Sequence, residues 1–231
     1  MSAPRIEMTT PSTVPATRQA QLRITEIFHS IQGESNTVGQ PTVFVRLTGC
    51  PLRCRYCDTA YAFTGGTTRS VDEVLGEVAA FGTRHVCVTG GEPLAQPACR
   101  GLLAALAGQG YAVQLETSGA LDIGGVDPRV AVIMDLKAPA SGEVSRNRWE
   151  NLTLLKPVDQ LKIVVSDRGD YDWARAQIAE HDLAARCQVL LSPAWGTLEA
   201  RQLAEWILAD RLPVCFQVQL HKYLWGDARG R

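Results

Sequence analysis

The sequence predicts an α/β fold built as an incomplete parallel β/α barrel. Strand-like and helix-like segments alternate along most of the chain, which implies a parallel sheet with crossover helices. The strand segments read as short apolar runs, as expected where both faces of a sheet are covered. About six strand–helix repeats follow the first strand within 231 residues. That is too few for a closed eight-fold barrel of roughly 250 residues, so an open, partial barrel is expected.

Residues 1–21 are rich in Ser, Thr, Pro, Ala and Gln and hold no continuous apolar stretch. They read as a flexible leader rather than a secretory signal, with the barrel domain over residues 22–231. Leu22 to Ile31 and Thr42 to Leu47 are strands by their apolar and β-branched content. Ser70-Val-Asp-Glu73 has the form of a capping box and predicts a helix from about Val71 to Phe81, with Val74, Leu75 and Val78 on its apolar face. A short strand over His85 to Thr89 ends in Gly90-Gly91, and a helix covers roughly Pro97 to Ala107. Strands follow at Ala112 to Glu116 and Val130 to Asp135, then a helix around Asn147 to Leu155. The remaining elements are a strand over Leu161 to Val165, a helix over Asp170 to His181, a strand centred on Val189 to Leu191, a helix over Thr197 to Ala209, and a last strand over Val214 to Val218.

The formal net charge of −1 gives no sign of a nucleic-acid backbone binder or of a polybasic membrane anchor. No apolar run approaches the roughly 20 residues that span a bilayer. Seven cysteines, an odd number with three crowded into eight residues, do not make a disulfide framework; reduced thiols in the cytoplasm fit better. Ordinary hydrolysis and phosphoryl transfer have no support: there is no G-x-x-x-x-G-K-[ST] loop, and no evident nucleophile triad or carboxylate pair.

Cys50-Pro-Leu-Arg-Cys54-Arg-Tyr-Cys57 has the form C-x3-C-x2-C and follows a predicted strand, at the end where a parallel barrel carries function. Three thiolates on one short loop can hold three corners of an iron–sulfur cubane and leave the fourth iron open to a small chelating molecule. The alternative is zinc, which in a closed structural site needs four ligands, usually from two paired units; no second pair is present. Cys87, Cys99, Cys187 and Cys215 are isolated in apolar patterns and read as small buried hydrophobes. Other residues are open to bland readings. Gly33 suits a tight turn with an unusual backbone conformation. Arg46, on an apolar strand, either snorkels or meets a carboxylate. Asp58-Thr59 resembles a turn cap, and His221-Lys222 a solvated tail.

C-x3-C-x2-C with Tyr56 before its third cysteine, followed by Gly90-Gly91-Glu92-Pro93, resembles the radical SAM superfamily. More narrowly, Ser30-Ile-Gln-Gly-Glu34, Gly39-x-Pro41, Phe44-Val-Arg-Leu-x-Gly-Cys50, Cys57-Asp-Thr59, Tyr61-Ala-Phe63, Asp135-Leu-Lys137-x-Pro139 and Gln219-Leu-His-Lys222-Tyr resemble the 7-carboxy-7-deazaguanine synthases. The likeness runs from about Ser30 to Lys222. It implies a partial barrel of the radical SAM type, and conversion of 6-carboxy-5,6,7,8-tetrahydropterin to 7-carboxy-7-deazaguanine with loss of ammonia, in queuosine (7-deazapurine) biosynthesis. The cofactors implied are a [4Fe–4S] cluster on Cys50, Cys54 and Cys57, S-adenosylmethionine (SAM), and Mg2+ on Thr59. The resemblance places SAM at Tyr56, Asp58, Gly91, Asp135, Leu136 and Lys137, and the pterin at Ile31, Gln32, Gly33, Glu34, Arg46 and Thr89. Glu92 would orient its motif rather than bind, Ser118 sits on the same rim, and Ser192 is a weaker candidate. The radical is the cofactor's, so no protein residue is expected to be catalytic. An electron donor such as flavodoxin and a homodimer are implied as well, with the C-terminus folded back toward the substrate. The alternative enzyme is a glycyl-radical-enzyme activase, which shares the cysteine spacing.

Overall fold

A computed structural model describes residues 16–231. Nine strands form one sheet: β1 (Gln21–Ile31), β2 (Pro41–Leu47), β3 (Thr67–Ser70), β4 (His85–Gly90), β5 (Ala112–Thr117), β6 (Ala131–Asp135), β7 (Gln160–Val165), β8 (Gln188–Pro193) and β9 (Cys215–Phe216). Their order is β3-β1-β2-β4-β5-β6-β7-β8-β9. From β2 through β9 every neighbour is parallel, whereas β1 pairs antiparallel with both β2 and β3. The two ends of the sheet are not paired to each other, so the barrel is open, as its length predicts.

The helices are α1 (Ala16–Gln19), α2 (Val71–Ala80), α3 (Cys99–Gly108), α4 (Arg168–Glu180), α5 (Leu183–Arg186), α6 (Ala200–Asp210) and α7 (Leu220–Trp225). The capping box forms: Glu73 N–H donates to Ser70 Oγ at 3.2 Å, and Ser70 N–H donates to the Glu73 carboxylate at 2.6 Å. Helices α2, α3, α4 and α6 press Val74, Leu102, Leu103, Leu106, Ile178, Leu203 and their neighbours onto one face of the sheet. That face carries Val43, Val45 and Leu47 of β2, Val86 and Val88 of β4, and Leu161, Ile163 and Val165 of β7. Each such side chain contributes about 1.5–3 kcal/mol when fully buried.

The other face corrects the reading of unbroken apolar strands. Alternate positions point away from the helices and are largely polar: Arg46, Thr89, Gln114, Glu116, Asp135, Gln160 and Lys162. This face is covered by loops and by the chain's own C-terminal segment, α7 included, rather than by the crossover helices, and it forms the wall of a cavity.

Several local expectations are revised. The segment around Asn147 to Leu155 is a 3-10 helix over Trp149–Leu154. Asn151, buried within it, hydrogen-bonds the Gly119 and Leu121 carbonyls and the Ile123 N–H, tying the segment to a neighbouring loop. The last strand keeps only Cys215–Phe216; Gln217 still donates its N–H to Leu191 O at 2.9 Å, and its side chain turns to the Ser35 backbone. Strand β3 and helices α1, α5 and α7 are additions. Helix α1, Ala20 and Gln21 of β1 fall within the segment read as leader; residues 1–15 lie outside the described residues. Cys87, Cys99 and Cys187 are buried as expected, but Cys215 is exposed, since β9 is a two-residue edge. No helix among the described residues is long and apolar enough to cross a membrane.

Candidate functional site

The cysteine loop leaves the C-terminal end of β2 and is held from three sides. Gly49 N–H donates to Ala62 O at 2.8 Å, Glu92 N–H to Gly49 O at 2.8 Å, and Arg55 N–H to Ser141 O at 3.0 Å. The Gly90-Gly91 pair is demanded by this packing. A Cβ at Gly90 would stand 2.2 Å from Leu47 O, and one at Gly91 2.1 Å from Gly49 O and 2.9 Å from Cys50 Cβ. Gly90 also has φ +141°, which favours glycine. Glu92 is wholly buried, and its carboxylate accepts from Leu94 N–H, Ser118 N–H, Ser118 Oγ and Thr117 Oγ1. It therefore clamps its own loop to the end of β5, as the sequence reading expected.

Cys50, Cys54 and Cys57 are free and partly exposed, and all three line one cavity of about 260 Å³ together with the polar face of the sheet. Below them, Asp135 pairs with Lys137 (Nζ to Oδ2, 2.9 Å), and Lys162 pairs with Glu34 (Nζ to Oε2, 2.8 Å) while lying 3.9 Å from Asp135 Oδ2. Desolvation pulls the Lys137 and Lys162 ammoniums down, but the adjacent carboxylates, Asp135 and Glu34 respectively, more than offset it and hold both above the usual lysine range. Glu34 Oε1, Asp135 Oδ1 and the Tyr56 hydroxyl are buried without a partner among the described residues. Buried polar atoms are normally hydrogen-bonded, so three unpaired ones around a cavity suit a polar ligand.

Arg46 meets a carboxylate. It stands opposite Glu26 in the β1–β2 register, and its Nε donates to Glu26 Oε1 at 2.7 Å. The guanidinium also lies 5.6 Å and 5.9 Å from the Phe28 and Tyr61 ring centres. Its terminal nitrogens make no protein hydrogen bond among the described residues, which leaves a donor pair for the cavity. Thr89 Oγ1 donates to Glu116 Oε2 at 2.9 Å, and Gln32 Nε2 reaches Glu116 Oε1 at 3.4 Å.

The C-terminal segment closes the mouth. Leu220 N–H donates to Gly33 O at 3.0 Å, Lys222 is buried beside Asp227, and Arg229 lies 4.2 Å over the Tyr61 ring. Gly226 through Arg231 line the cavity. His221 and Lys222 are thus part of the site rather than a solvated tail. Gly33 has an ordinary φ; it is glycine because the His221 ring occupies the space of a Cβ, not because of a turn. Asp58 stands at the rim, where desolvation pushes its carboxyl up and Lys222, Lys162, His221 and Arg46 more than offset it, holding it below the usual carboxylate range. Thr59 Oγ1 lies 3.2 Å from Asp58 Oδ1 and 3.9 Å from Cys57 Sγ.

The donor set fits an iron–sulfur cluster. Three thiols of one loop open on a cavity that has room for a small chelating molecule, and no protein residue supplies a fourth thiol there. Among the described residues, no group of three or more His, Cys, Asp or Glu side chains stands at the spacing of a single metal ion. Burial pushes the Cys54 thiol up to about 11 against the opposing pull of Lys137; bound iron supplies the positive charge that ionises such a thiol.

Of the candidate site residues singled out in the sequence, all but Glu92, Leu136 and Ser192 line this cavity. Leu136 is buried in the apolar core, and only its backbone is near, its N–H donating to Lys162 O at 2.8 Å. Ser192 is buried at the end of β8, away from the cavity wall. Sequence reasoning missed Lys162, Glu116, Glu26 and Arg229. For Lys162 and Glu116 the signal was present: each is a charge at an alternate position of an otherwise apolar strand, as Arg46 is.

Comparison with known proteins agrees with this geometry. The Radical SAM superfamily model matches residues 44–137. The 7-carboxy-7-deazaguanine synthase of Chlorobaculum tepidum is 50% identical over 216 residues, covering 92% of this chain and 98% of that protein. The 7-carboxy-7-deazaguanine synthase of Koribacter versatilis is 42% identical, covering 88% and 97%. Among solved structures, QueE from Escherichia coli shares the fold, with a TM-score of 0.71 at 24% identity over 87% of this chain and 95% of that one. Identity at the level of the first two relatives, sustained along nearly the whole chain, shows that the protein belongs to the 7-carboxy-7-deazaguanine synthase family, within the radical SAM superfamily.

Proposed function

We propose that this protein converts 6-carboxy-5,6,7,8-tetrahydropterin to 7-carboxy-7-deazaguanine with loss of ammonia, in queuosine (7-deazapurine) biosynthesis. The observation that carries the reading is that one covered cavity holds both the three-thiol loop and a wall of paired charges. Cys50, Cys54 and Cys57 would hold a [4Fe–4S] cluster. When bound, the cluster and SAM supply the radical-forming, one-electron chemistry that the protein itself lacks.

The protein's contribution is binding, orientation and exclusion of water. Asp135 Oδ1 and the Tyr56 hydroxyl offer unpaired polar atoms on the side of the thiol loop and suit the charged end of SAM, with Asp58, Lys137 and the Gly91 backbone beside them. The Leu136 backbone belongs to the same stretch. Ile31, Gln32, Gly33, Glu34 and Thr89 would face the pterin, where Gln32 and Glu34 offer donors and acceptors to a heterocycle edge. The free guanidinium nitrogens of Arg46 suit its carboxylate. Thr59 would give Mg2+ one protein oxygen, the remaining positions going to water and substrate. A mouth crossed by Gly226 to Arg231 suits a small molecule better than a polypeptide, which favours this reading over an activase. Exposed Arg53 and Arg55 on the thiol loop leave approach open to an acidic electron donor such as flavodoxin. The exposed Trp195, Tyr223 and Leu224 suit a homodimer. Free cysteines throughout suit the reducing cytoplasm.

The test is anaerobic incubation of the reconstituted, reduced protein with SAM, Mg2+ and 6-carboxytetrahydropterin, with products read by mass spectrometry. Formation of 7-carboxy-7-deazaguanine without proportional loss of SAM is expected. SAM cleavage that leaves the pterin intact would sink the substrate assignment.

A further inference from the structure

We propose that Lys162 is the positioning residue that couples the two halves of the cavity, by fixing the carboxylate of Glu34 so that its free oxygen faces the pterin. This rests on the functional reading above and extends it to a residue that reading does not use.

The geometry is specific. Lys162 sits at the middle of β7, on the polar face, opposite Asp135 of β6 and Leu190 of β8. Its ammonium is buried and lies 2.8 Å from Glu34 Oε2 but 3.9 Å from Asp135 Oδ2. Asp135 has a nearer partner, Lys137 at 2.9 Å. Glu34 has no other cation within ion-pair distance among the described residues, and Glu34 Oε1 is buried with no partner. One oxygen of Glu34 is therefore committed to Lys162, and the other is left without a partner among the described residues, in a side chain that lines the cavity. Glu34 belongs to the connection between β1 and β2, strands that β4 and β5 separate from β6 and β7 in the sheet. A buried carboxylate without its cation is strongly disfavoured, so the Lys162 charge is what allows an ionised Glu34 at this position. The Lys162 ammonium is in turn long enough to touch both the loop next to the proposed pterin site and the strand end next to the proposed SAM site.

The coupling has a signature that a purely structural strut lacks. If Lys162 acts through Glu34, its removal weakens pterin binding more than SAM binding, and the effect disappears when Glu34 is already neutral. The experiment uses the anaerobically reconstituted full-length protein as wild type, K162M, K162R, E34Q and K162M/E34Q. Affinities for 6-carboxytetrahydropterin in the presence of SAM, and for SAM alone, are measured by calorimetry, and folding is checked by circular dichroism and melting temperature. The expected result is a loss of pterin affinity of about ten-fold in K162M, a smaller change in SAM affinity, partial recovery in K162R, and a double variant no weaker than E34Q. The double variant removes both charges of the pair, so it stays folded if K162M fails through an unpaired carboxylate. Equal losses for both ligands, or additive losses in the double variant, would overturn the proposal. A wild type that binds SAM but not the pterin would instead overturn the substrate reading.

Discussion

The ring of His221 stands where a side chain at Gly33 would begin: a Cβ there would lie 2.2 Å from Nδ1 and 3.0 Å from the His221 backbone nitrogen. The two residues are 188 positions apart in sequence, yet the first glycine-containing segment of the site is shaped to receive the last helix. The contact is reinforced by the Leu220 N–H to Gly33 O hydrogen bond and by Gln217, which both donates to and accepts from the Ser35 backbone.

Gly33→Ala is therefore expected to push α7 off the cavity mouth. Overpacking of this kind costs about 1–3 kcal/mol, which should appear as a lower melting temperature and a raised KM for the pterin. Gly33→Ala/His221→Ala should recover most of the stability, because the second change vacates the contested space. Equal melting temperatures for wild type and Gly33→Ala would refute the interlock.

Gly91→Ala meets backbone instead of a side chain. Gly49 O and Cys50 Cβ cannot yield without moving the thiol loop itself. The expected outcome is a folded protein that reconstitutes with clearly less iron and sulfide per chain than wild type, measured by colorimetric iron and sulfide assays. Full incorporation would show that the loop has room the structure does not reveal.

Glu92→Gln keeps the size of the side chain but turns one acceptor oxygen into a donor. Leu94 N–H, Ser118 N–H and the Thr117 and Ser118 hydroxyls all converge on the present carboxylate. Hydrogen bonds to a charged group contribute about 1.5–3 kcal/mol each, so a stability loss of about 3 kcal/mol is expected in denaturant titrations. A variant as stable as wild type would mean that these donors find water.

The outer surface carries a pH-dependent pair. Tyr171 OH and Arg175 Nη1 donate to Asp210 Oδ2 at 2.9 and 2.8 Å, and these contacts hold the Asp210 carboxyl below the usual carboxylate range. A carboxyl depressed in the folded state stabilises the protein above its unfolded pKa of about 3.9, and that stability is lost as pH falls through the folded value. The melting-temperature gap between wild type and Asp210→Asn should be constant from neutral pH to about pH 5 and should close below about pH 4. A gap that persists unchanged at acid pH would argue against the ionic contribution.

The order of strands and helices was legible in the sequence because each element carries its own signal. The capping box at Ser70 and Glu73 forms as read, and the apolar runs at Val43 to Leu47 and Leu161 to Val165 are strands. What misled was treating those runs as uniform. Arg46 and Lys162 interrupt them, as Glu116 interrupts β5, and a period of two marks a face that does not meet the helices. Asn151 ties the 3-10 segment Trp149–Leu154 to distant backbone, and the Gln217 side chain reaches from the end of β9 to the Ser35 backbone; no local pattern announces either.

By itself the sequence determined the fold class, the thiol loop of Cys50, Cys54 and Cys57, and most residues that line the site, because spacing within one loop and periodicity within one strand are local properties. It took the folded chain to show why Gly33 and Gly91 are glycine, which carboxylate Arg46 meets, and that Lys162 lies between Glu34 and Asp135. Those facts depend on distances between segments far apart in the chain, set by how the sheet curves and where the C-terminal helix lands, and one-dimensional patterns do not encode such distances.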